Sequence, residues 1–355
     1  MVNKTTEPLK CLFVNKNSWI IVLSFVIISC NKQGVSVNPP VDPWQKLSAP
    51  DFGELLDMKF TSADTGYILG VKYSDDSIYN ILISTYDGGQ TWKTMAYRNH
   101  QFLTDTSKGV IQAIYVSPFQ ASILFAEGNN LLRSTDGGVH WQRVDTVNKM
   151  GTPNMVFFDP VNGISSTGEG ISRTTDSGLT WTTYYSPMLS FQLLPFTSAL
   201  TGYFAEGSQL EGVASGIMGK TIDGGNTWNL LNYPFADIIS VSFVNDNTGY
   251  VSMVTSSGNI SQSHSGSRLI KTTDGGNTWQ IIVDNPIDDN GIAYYNLHFT
   301  TETKGFCTNN GISHSNDGGK TWQKESSIIA SLLSFPDTHT AYAVDTSGIV
   351  YKRAL

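Results

Sequence analysis

The sequence predicts an all-β fold, a seven-bladed β-propeller of four-stranded blades, from one repeated phrase and from the two chain ends. An eight-residue phrase with the pattern [ST]-x-D-x-G-x-[TH]-W occurs six times, with 40 to 51 residues between successive aspartates. An aspartate followed closely by glycine is a strong turn signal between two strands, and a period in the forties is the range of propeller blades. The phrase therefore predicts one strand-turn-strand unit in each of six blades.

Each copy of the phrase is expected to be a structural turn between the third and fourth strands of its blade. The aspartate can accept hydrogen bonds from loop N–H groups, glycine allows positive φ, and tryptophan can pack between neighbouring blades. We predict these structural roles for the aspartate and tryptophan of every copy, namely Asp87 and Trp92, Asp136 and Trp141, Asp176 and Trp181, Asp223 and Trp228, Asp274 and Trp279, and Asp317 and Trp322.

The chain ends complement one another. Trp44-Gln45-Lys46-Leu47 is similar to the strands that follow the phrase, such as Trp141-Gln142-Arg143-Val144, yet no phrase precedes it. Residues 331–335, 341–344 and 349–352 read as the first three strands of a blade, after which the sequence stops. We expect the N-terminal strand to complete that last blade, which is how propellers remove free sheet edges. Six blades with the phrase and one composite blade make seven over residues 43–355.

The repeated phrase resembles the Asp box, or BNR repeat, of sialidases, sortilin-type receptors, xyloglucan-degrading glycosidases and photosystem II assembly factors. A second phrase, a phenylalanine followed by Gly-Tyr after five further residues, occurs at residues 60–67, 196–203 and 243–250. That phrase resembles the photosystem II assembly and stability factor subgroup. The resemblance extends over nearly the whole chain beyond residue 43. It implies a propeller architecture and a non-enzymatic role, without implying photosynthesis.

The N-terminus reads as an export signal rather than as part of the fold. Lys4, Lys10 and Lys16 precede a ten-residue apolar run at residues 19–28, too short to span a bilayer comfortably. Ser29-Cys30 follows, and this arrangement resembles a bacterial lipoprotein signal at residues 1–29, which implies acylation of Cys30. An ordinary signal peptide or an uncleaved anchor are the alternatives. Residues 30–42 read as a flexible tether. We expect an exported protein, lipid-anchored in the cell envelope and facing the periplasm or the surface.

Composition excludes several classes of partner. The formal charge of −8 and the low content of Lys and Arg argue against a nucleic-acid surface. A mature chain would retain only Cys30 and Cys307, so no disulfide framework is expected. Cys307 is expected to be a small buried residue rather than a nucleophile. We predict a monomer without a metal or other cofactor, whose partner is a protein or a glycan.

Binding is expected on the face opposite the boxes, where loop lengths differ. Long connections between second and third strands are predicted at residues 71–80, 207–216 and 256–267, and long connections between blades at residues 96–109 and 284–293. Long loops on a rigid scaffold often carry binding residues. The candidates for binding on this loop face are Tyr73, Tyr79, Tyr97, Arg98, His100, Asp288, Asp289, Tyr294 and Tyr295, of which the last two could instead be core residues.

Enzymatic functions need groups that this sequence does not bring together. A sialidase binds its substrate carboxylate through an arginine cluster, whereas only Arg98 and Arg268 are expected to reach the loop face. A xyloglucanase-type site requires a cleft between two propellers. The six histidines have no metal-ligand spacing, and Asp288-Asp289 lacks that of a calcium loop. The sequence therefore favours a non-enzymatic binding or assembly scaffold. The alternative is a divergent glycan-active enzyme or a glycan-binding lipoprotein.

Overall fold

The structure is a computed structural model that describes residues 42–49, 51–74, 77–101, 111–117, 123–127, 130–137, 140–144, 154–167, 170–185, 192–208, 215–233, 235, 237–256, 265–285 and 294–355. Asp42–Leu355 form one compact unit. Across these described ranges no helix is long and apolar enough to cross a membrane. The predicted signal peptide, Cys30 and the tether as far as residue 41 lie outside the description.

The described residues form seven antiparallel sheets of four strands each, so the predicted all-β propeller with four-stranded blades is confirmed. We call each sheet a blade. Blade 1 contains β2 (Glu54–Phe60), β3 (Gly66–Ser74), β4 (Ser77–Thr85) and β5 (Lys93–Gln101). Blade 2 contains β6 (Ile111–Val116), β7 (Ile123–Glu127), β8 (Asn130–Ser134) and β9 (Gln142–Val144). Blade 3 contains β10 (Asn154–Phe157), β11 (Gly163–Thr167), β12 (Gly170–Thr174) and β13 (Thr182–Tyr185), and blade 4 contains β14 (Gln192–Leu193), β15 (Gly202–Ser208), β16 (Ser215–Thr221) and β17 (Asn229–Leu230).

The remaining blades include the one that joins the two chain ends. Blade 5 contains β18 (Asp237–Phe243), β19 (Gly249–Ser256), β20 (Ser265–Thr272) and β21 (Gln280–Asn285); blade 6 contains β22 (Tyr295–Phe299), β23 (Gly305–Thr308), β24 (Ile312–Ser315) and β25 (Gln323–Ser326); blade 7 contains β26 (Ala330–Ser334), β27 (Thr340–Asp345), β28 (Val350–Ala354) and β1 (Gln45–Lys46). Blades 1 to 6 each have an Asp box between their third and fourth strands, as predicted.

Burial is greatest in the second strand of a blade and least in the fourth. All four residues of β23 and the first five of β27 are buried, whereas β21 is largely exposed or half-buried. A second strand is covered on both faces by the neighbouring blades, which explains its nearly continuous apolar sequence. Cys307 lies within β23 and is fully buried, and this burial raises the pKa of its thiol to about 12. The prediction of a buried, structural Cys307 is confirmed.

The Asp boxes lie on the same face of the propeller as the turns between first and second strands. In blade 1, the Gly88 N–H of the box donates to the Asp64 carbonyl of that turn at 2.8 Å. In blade 5, the Gly275 N–H donates to the Asn247 carbonyl at 2.8 Å. We call this side the box face. The opposite side, the loop face, contains the connections between second and third strands and those between blades.

The Phe-Gly-Tyr phrase joins blade 4 to blade 5 and blade 5 to blade 6. Its tyrosine stacks on the phenylalanine of the following blade, with ring centroids 3.5 Å apart for Tyr203 and Phe243 and also for Tyr250 and Phe299. The Tyr203 hydroxyl then donates to the Asp246 carbonyl at 2.8 Å. Glycine is required at position 249 because a Cβ there would approach the Phe243 ring to 2.4 Å. The phrase is thus a repeated contact between blades.

The first strands line the axis and are joined across blades by side-chain hydroxyls. Ser240 Oγ and Ser242 Oγ of β18 accept hydrogen bonds from the Leu297 and Phe299 N–H groups of β22, each at 2.9 Å. Ser334 Oγ of β26 accepts from the Phe60 N–H of β2 at 3.1 Å. These bonds satisfy backbone groups at the inner edge of the sheets, which no further strand covers.

The predicted closure of the last blade by the N-terminal strand is confirmed. Gln45 pairs with Lys352 and Lys46 with Tyr351 in the antiparallel register of β1 and β28. Trp44 is buried, and its indole Nε1 donates to Glu325 Oε1 of blade 6 at 2.7 Å. Asp42 belongs to the folded unit rather than to the predicted tether, because its carboxylate accepts from Ser326 Oγ at 2.7 Å.

Several of the predicted loops are wrong, because strands extend into them. Residues 71–74 and 77–80 form the ends of β3 and β4, which pair as far as Ser74 and Ser77. The connection predicted at residues 96–109 begins instead as β5, which runs to Gln101. Strands β15, β16, β20 and β21 likewise take up the ends of the connections predicted at residues 207–216, 256–267 and 284–293. Polar residues on an exposed hairpin and on a loop look alike in sequence, so the sequence pattern did not separate them.

Candidate binding surfaces

The Asp box is a closed hydrogen-bond network within one turn. In blade 5, Asp274 Oδ1 accepts from Thr272 Oγ1 at 2.8 Å and from the Thr278 N–H at 2.9 Å, and Asp274 Oδ2 accepts from Thr278 Oγ1 at 2.6 Å. Thr272 Oγ1 in turn accepts from the Gly276 N–H at 2.8 Å. With both carboxylate oxygens used inside the turn, the box acts as a structural element.

These hydrogen bonds favour the ionised carboxylate. The threonine hydroxyl and N–H at position 278 lower the pKa of Asp274 to about 2, and the equivalent groups lower that of Asp87 and Asp317 to about 2. In blade 2 histidine replaces the threonine, and His140 Nδ1 lies 2.6 Å from Asp136 Oδ2. The His140 N–H and ring lower the pKa of Asp136 well below its ordinary range.

The tryptophan of the box packs under its own turn. Trp279 Nε1 donates to the Gly276 carbonyl at 3.1 Å, and the indole meets the Phe243 ring edge to face at a centroid distance of 6.4 Å. In blade 1, Trp92 packs in the same cluster as Tyr342 of blade 7. The box tryptophan therefore anchors a turn and fills a joint between blades.

Predicted binding residues of blade 1 lie on its long strands. Tyr73 is on β3 and is 60% exposed, and Tyr79 is half-buried on β4. Strand β5 contains Tyr97, Arg98 and His100, which pair with residues 81, 80 and 78 of β4 and whose side chains lie outside the description. Among the predicted binding residues of blade 1 whose side chains are described, Tyr73 is the exposed aromatic residue.

Tyr294 and Tyr295 are adjacent in sequence but have opposite environments. Tyr294 is 4% exposed, lies 5.3 Å from the Trp322 ring and receives a long hydrogen bond of 3.4 Å from Asn285 Nδ2. Burial raises the pKa of its hydroxyl. Of the two alternatives that the sequence left open for Tyr294, the structure supports the core residue and contradicts the binding residue. Tyr295 is 54% exposed.

A cleft of about 640 Å³ opens on the loop face where blades 5, 6 and 7 meet. It is lined by the beginnings of their first strands, with Tyr295, Ile329 and Ser331 at its exposed edge. The turn from β23 to β24, Asn309-Asn310-Gly311, forms another wall. A cavity of this size is within the usual range of small-ligand sites.

Three β-bulges converge on this cleft. The register of the first two strands shifts at Ile239 in blade 5, at Asn296 in blade 6 and at Ser331 in blade 7, and all three residues line the cleft. Asn296 Nδ2 donates to Thr308 Oγ1 at 3.1 Å and to the Ser331 carbonyl at 3.3 Å, so it ties the bulge of blade 6 to that of blade 7. Bulges redirect side chains and are frequent beside functional sites.

The backbone of the cleft is also unusual. Among the described residues, three residues other than glycine have positive φ, and two of them, Asn296 and Asn310 at 49° each, line this cleft. Such conformations have an energetic cost and cluster at functional sites. Sequence reasoning singled out Tyr295 but missed Ile239, Asn296, Asn310 and Ser331. An available signal was Asn-Asn-Gly, since asparagine and glycine tolerate positive φ.

A second cavity lies at the box-face end of the axis. It measures about 730 Å³ and is lined largely by aromatic residues and prolines at the ends of first strands, including Phe158, Phe196 and Phe335. Phe158 and Phe196 are stacked at 4.8 Å. These rings are the inner ends of the joints between blades, so the cavity is a product of the repeated packing.

The arginines whose side chains are described are dispersed and already paired. Arg133 Nε donates to the Ser177 carbonyl at 2.8 Å, and Arg173 donates to Asn226, in both cases across to the box of the next blade. Arg268 forms a two-pronged pair with Asp284 at 2.9 and 3.1 Å. Arg353 is bound to buried Glu325 at 2.7 Å. These four residues belong to four different blades.

The remaining candidates cannot be placed. Asp288 and Asp289 lie outside the described residues, as does Cys30. Over the described part of the chain, no group of three or more His, Cys, Asp or Glu residues is arranged to hold a metal ion.

The four-stranded sheets and the joints between them define the class of protein: it is a β-propeller. Residues 37–189 match the model of the family described as photosynthesis system II assembly factor YCF48, so the resemblance that the sequence suggested is confirmed. The chain is 26% identical over 164 residues to the photosystem II assembly lipoprotein Ycf48 of Prochlorococcus marinus (strain MIT 9312), which covers 45% of either chain. It is also 29% identical over 149 residues to the xyloglucanase Xgh74A of Acetivibrio thermocellus, covering 32% of this chain and 18% of that enzyme. The chain thus spans less than half the length of these curated relatives.

Solved structures agree on the fold. A structure of YCF48 bound to D1 peptide superposes with a TM-score of 0.64 at 20% identity, covering 89% of this chain and 96% of that chain. The GH74 xyloglucanase of Xanthomonas campestris superposes with a TM-score of 0.54 at 13% identity, covering 80% of this chain and 49% of that enzyme. At these identities the likeness supports the architecture alone.

Proposed function

We propose that this chain is an exported, membrane-anchored, non-enzymatic binding or assembly scaffold, which engages a protein partner through the loop face of a closed seven-bladed propeller. One observation carries the proposal: the loop face presents an exposed aromatic residue and an open cleft on rigid strands, whereas the described charged residues there do not converge. A rigid frame with displayed side chains suits recognition, because little conformational entropy is lost on binding.

Three features support a non-enzymatic role over a glycosidase or sialidase. The described arginines lie in separate blades and have partners of their own, so they cannot form the cluster that binds a carboxylate. Among the described residues that line the loop-face cleft, none is charged. Most glycosidases require two carboxyl groups on either side of the scissile bond, and the described lining of this cleft supplies none.

The names of the relatives support the rest of the proposal. The assembly lipoprotein of Prochlorococcus marinus is named for assembly and for a lipid anchor. The solved YCF48 structure is described as bound to a peptide, which makes a protein partner reasonable for this chain. Exposed aromatic residues such as Tyr73 supply large contact area at low entropic cost. We further propose that Cys30 is the acylated residue and that residues 30–41 are the tether.

The test is affinity purification of the full-length tagged protein from its native membranes, followed by identification of the bound proteins. Tyr73→Ala should weaken the binding of a specific partner by about 1 kcal/mol or more, as truncation of an interface aromatic residue does. The amount of that partner captured should fall accordingly. The matched control is Lys320→Ala, which alters an exposed side chain on the box face. Equal capture by wild type and Tyr73→Ala, with loss only in Lys320→Ala, would move the interface to the box face. Release of chromophore from aryl glycosides by the purified protein would contradict the proposal that the protein is not an enzyme.

A further inference from the structure

The cleft between blades 5, 6 and 7 has a chemistry that the proposed protein-binding role does not use. Its described lining contains carboxamides, hydroxyls, one exposed aromatic ring and aliphatic side chains, and none of these described residues is charged. The chain has 52 charged residues, yet none of them is among the described residues of the cleft. A lining of this kind selects against ions and charged ligands, because it offers no opposite charge to compensate for their lost hydration. The fitting ligand is uncharged, has many hydrogen-bonding groups and has at least one apolar face.

We propose that this cleft binds a neutral oligosaccharide and does not hydrolyse it. A pyranose ring has an apolar C–H face and a rim of hydroxyls, each of which is both donor and acceptor. Tyr295, 54% exposed, and Ile329, 50% exposed, provide flat apolar surface at the edge of the cleft. Asn309 and Asn310 each have a carboxamide, whose NH2 group donates and whose oxygen accepts hydrogen bonds. Two neighbouring sugar hydroxyls can form hydrogen bonds with one such carboxamide.

The strained backbone holds these groups in place. Asn310, at a φ of 49°, and Gly311, at 128°, form the tight turn whose Asn309 N–H donates to the Gly311 carbonyl at 2.8 Å. Asn296 is fixed by its bonds to Thr308 and to the Ser331 carbonyl, so the bulges of blades 6 and 7 are tied together beneath the ligand. A site with this preorganisation loses less entropy when the ligand binds.

Binding without cleavage follows from the same lining. Glycoside hydrolysis needs a proton donor and a second carboxylate or an activated water, usually supplied by two Asp or Glu residues. The cleft residues that the structure describes include neither Asp nor Glu. The glycan would therefore be retained, which would hold the propeller to a carbohydrate-containing layer while the rest of the loop face remains free for a protein.

The test uses full-length protein in a detergent without a sugar headgroup and a panel of neutral probes: cellotetraose, xylotetraose, mannotetraose and N-acetylchitotetraose. Saturation-transfer NMR identifies a bound sugar and calorimetry measures its Kd. At least one probe should bind, and Tyr295→Ala should weaken it tenfold or more, while Tyr295→Phe should retain most of the affinity because the ring face is kept. Asn310→Asp should also abolish binding, because it removes the amide donors and adds a charge in a conformation that aspartate tolerates.

The control is Tyr86→Ala, since Tyr86 is 55% exposed but lies in a box on the opposite face. It should bind the sugar as wild type does. Failure of all four probes to bind, equal binding by Tyr295→Ala and wild type, or release of shorter sugars on prolonged incubation would overturn the proposal. Binding of an uncharged peptide in the cleft, when none of the four sugars binds, would overturn the proposal in favour of a peptide site. Partner capture in the affinity experiment is independent of all these results.

Discussion

Phe60 of blade 1 and Tyr342 of blade 7 are stacked with their ring centroids 3.4 Å apart and their planes within 5° of parallel. These residues are 282 positions apart in sequence, and their contact joins the first complete blade to the last. The Tyr342 hydroxyl also donates to the Ala63 carbonyl at 2.6 Å. Lys352 Nζ reaches the same carbonyl at 3.1 Å and lies over the Tyr342 ring. The joint that closes the ring thus repeats the Tyr203–Phe243 and Tyr250–Phe299 joints.

Tyr342→Phe is expected to destabilise the propeller while leaving the stacked ring in place. The Ala63 carbonyl loses a short, partly buried hydrogen bond but keeps the one from Lys352 Nζ, so the cost is that of one net hydrogen bond, about 0.5–1.5 kcal/mol. Urea unfolding followed by tryptophan fluorescence measures the change. Tyr203→Phe is the matched control, since it removes the equivalent 2.8 Å bond to the Asp246 carbonyl at a joint within the chain. A Tyr342→Phe protein as stable as wild type would show that the hydroxyl contributes nothing to closure.

Trp44→Ala should cost about 3–5 kcal/mol, as removal of a buried tryptophan does. The change leaves a cavity beside Ile312 and Ala341 and removes the donor to Glu325 Oε1. The measurement is the melting temperature, compared with that of Gln45→Ala, which changes the next residue, an exposed one in β1. Deletion of residues 43–48 should be at least as harmful because it also exposes the edge of β28. If Trp44→Ala and the deletion of residues 43–48 both left the melting temperature unchanged, the closure of blade 7 by the N-terminal strand would be contradicted.

The Asp boxes predict a loss of stability in acid. The folded-state pKa of Asp87, Asp274 and Asp317 is about 2, below the ordinary value of about 3.9 in an unfolded chain. A depressed folded pKa contributes stability that is fully present above the unfolded pKa and is lost as pH falls through the folded one. The melting temperature should therefore decrease between pH 4 and pH 2.

Asp274→Asn removes one of these titrations and should give a shallower decrease over the same pH interval, although the variant starts from a lower melting temperature at pH 7. Glu54→Gln, which changes an exposed carboxylate outside the boxes, is the control and should follow the wild-type curve. Parallel curves for wild type and Asp274→Asn would show that the box carboxylates do not supply the acid sensitivity.

Cys30→Ser should release the protein from membranes, because a single cysteine is the proposed attachment point of the lipid. Labelling of cells with a fatty-acid probe, followed by fractionation, measures both lipidation and membrane association. Cys11→Ser serves as the control, since Cys11 lies within the segment that would be removed. Unchanged labelling of Cys30→Ser would contradict the lipoprotein assignment.

The sequence predicted the box geometry and the closure well because both depend on local residue types at fixed spacing. Asp-Gly turns with a following tryptophan permit few conformations, and the incomplete sets of strands at the two ends complement each other. Tyr294 shows where this reasoning reached its limit. It adjoins a polar segment, so the sequence left open whether it binds a partner or belongs to the core, and the packing of its ring on Trp322 decides for the core.

The sequence by itself thus determined the period, the Asp-box turns and the four-stranded blade, since each follows from turn chemistry and strand patterning within about 50 residues. It also determined the pairing of the chain ends, because the incomplete sets of strands at the two termini complement each other. Only the tertiary structure decided which tyrosine stacks on which phenylalanine, how far the strands of blade 1 extend and where the loop face opens. The cleft depends on bulges at Ile239, Asn296 and Ser331, which arise when the first strands of three blades pack around one axis. Side chains brought together from positions about 35 to 57 residues apart in sequence leave no local pattern, because their proximity is a property of the closed ring.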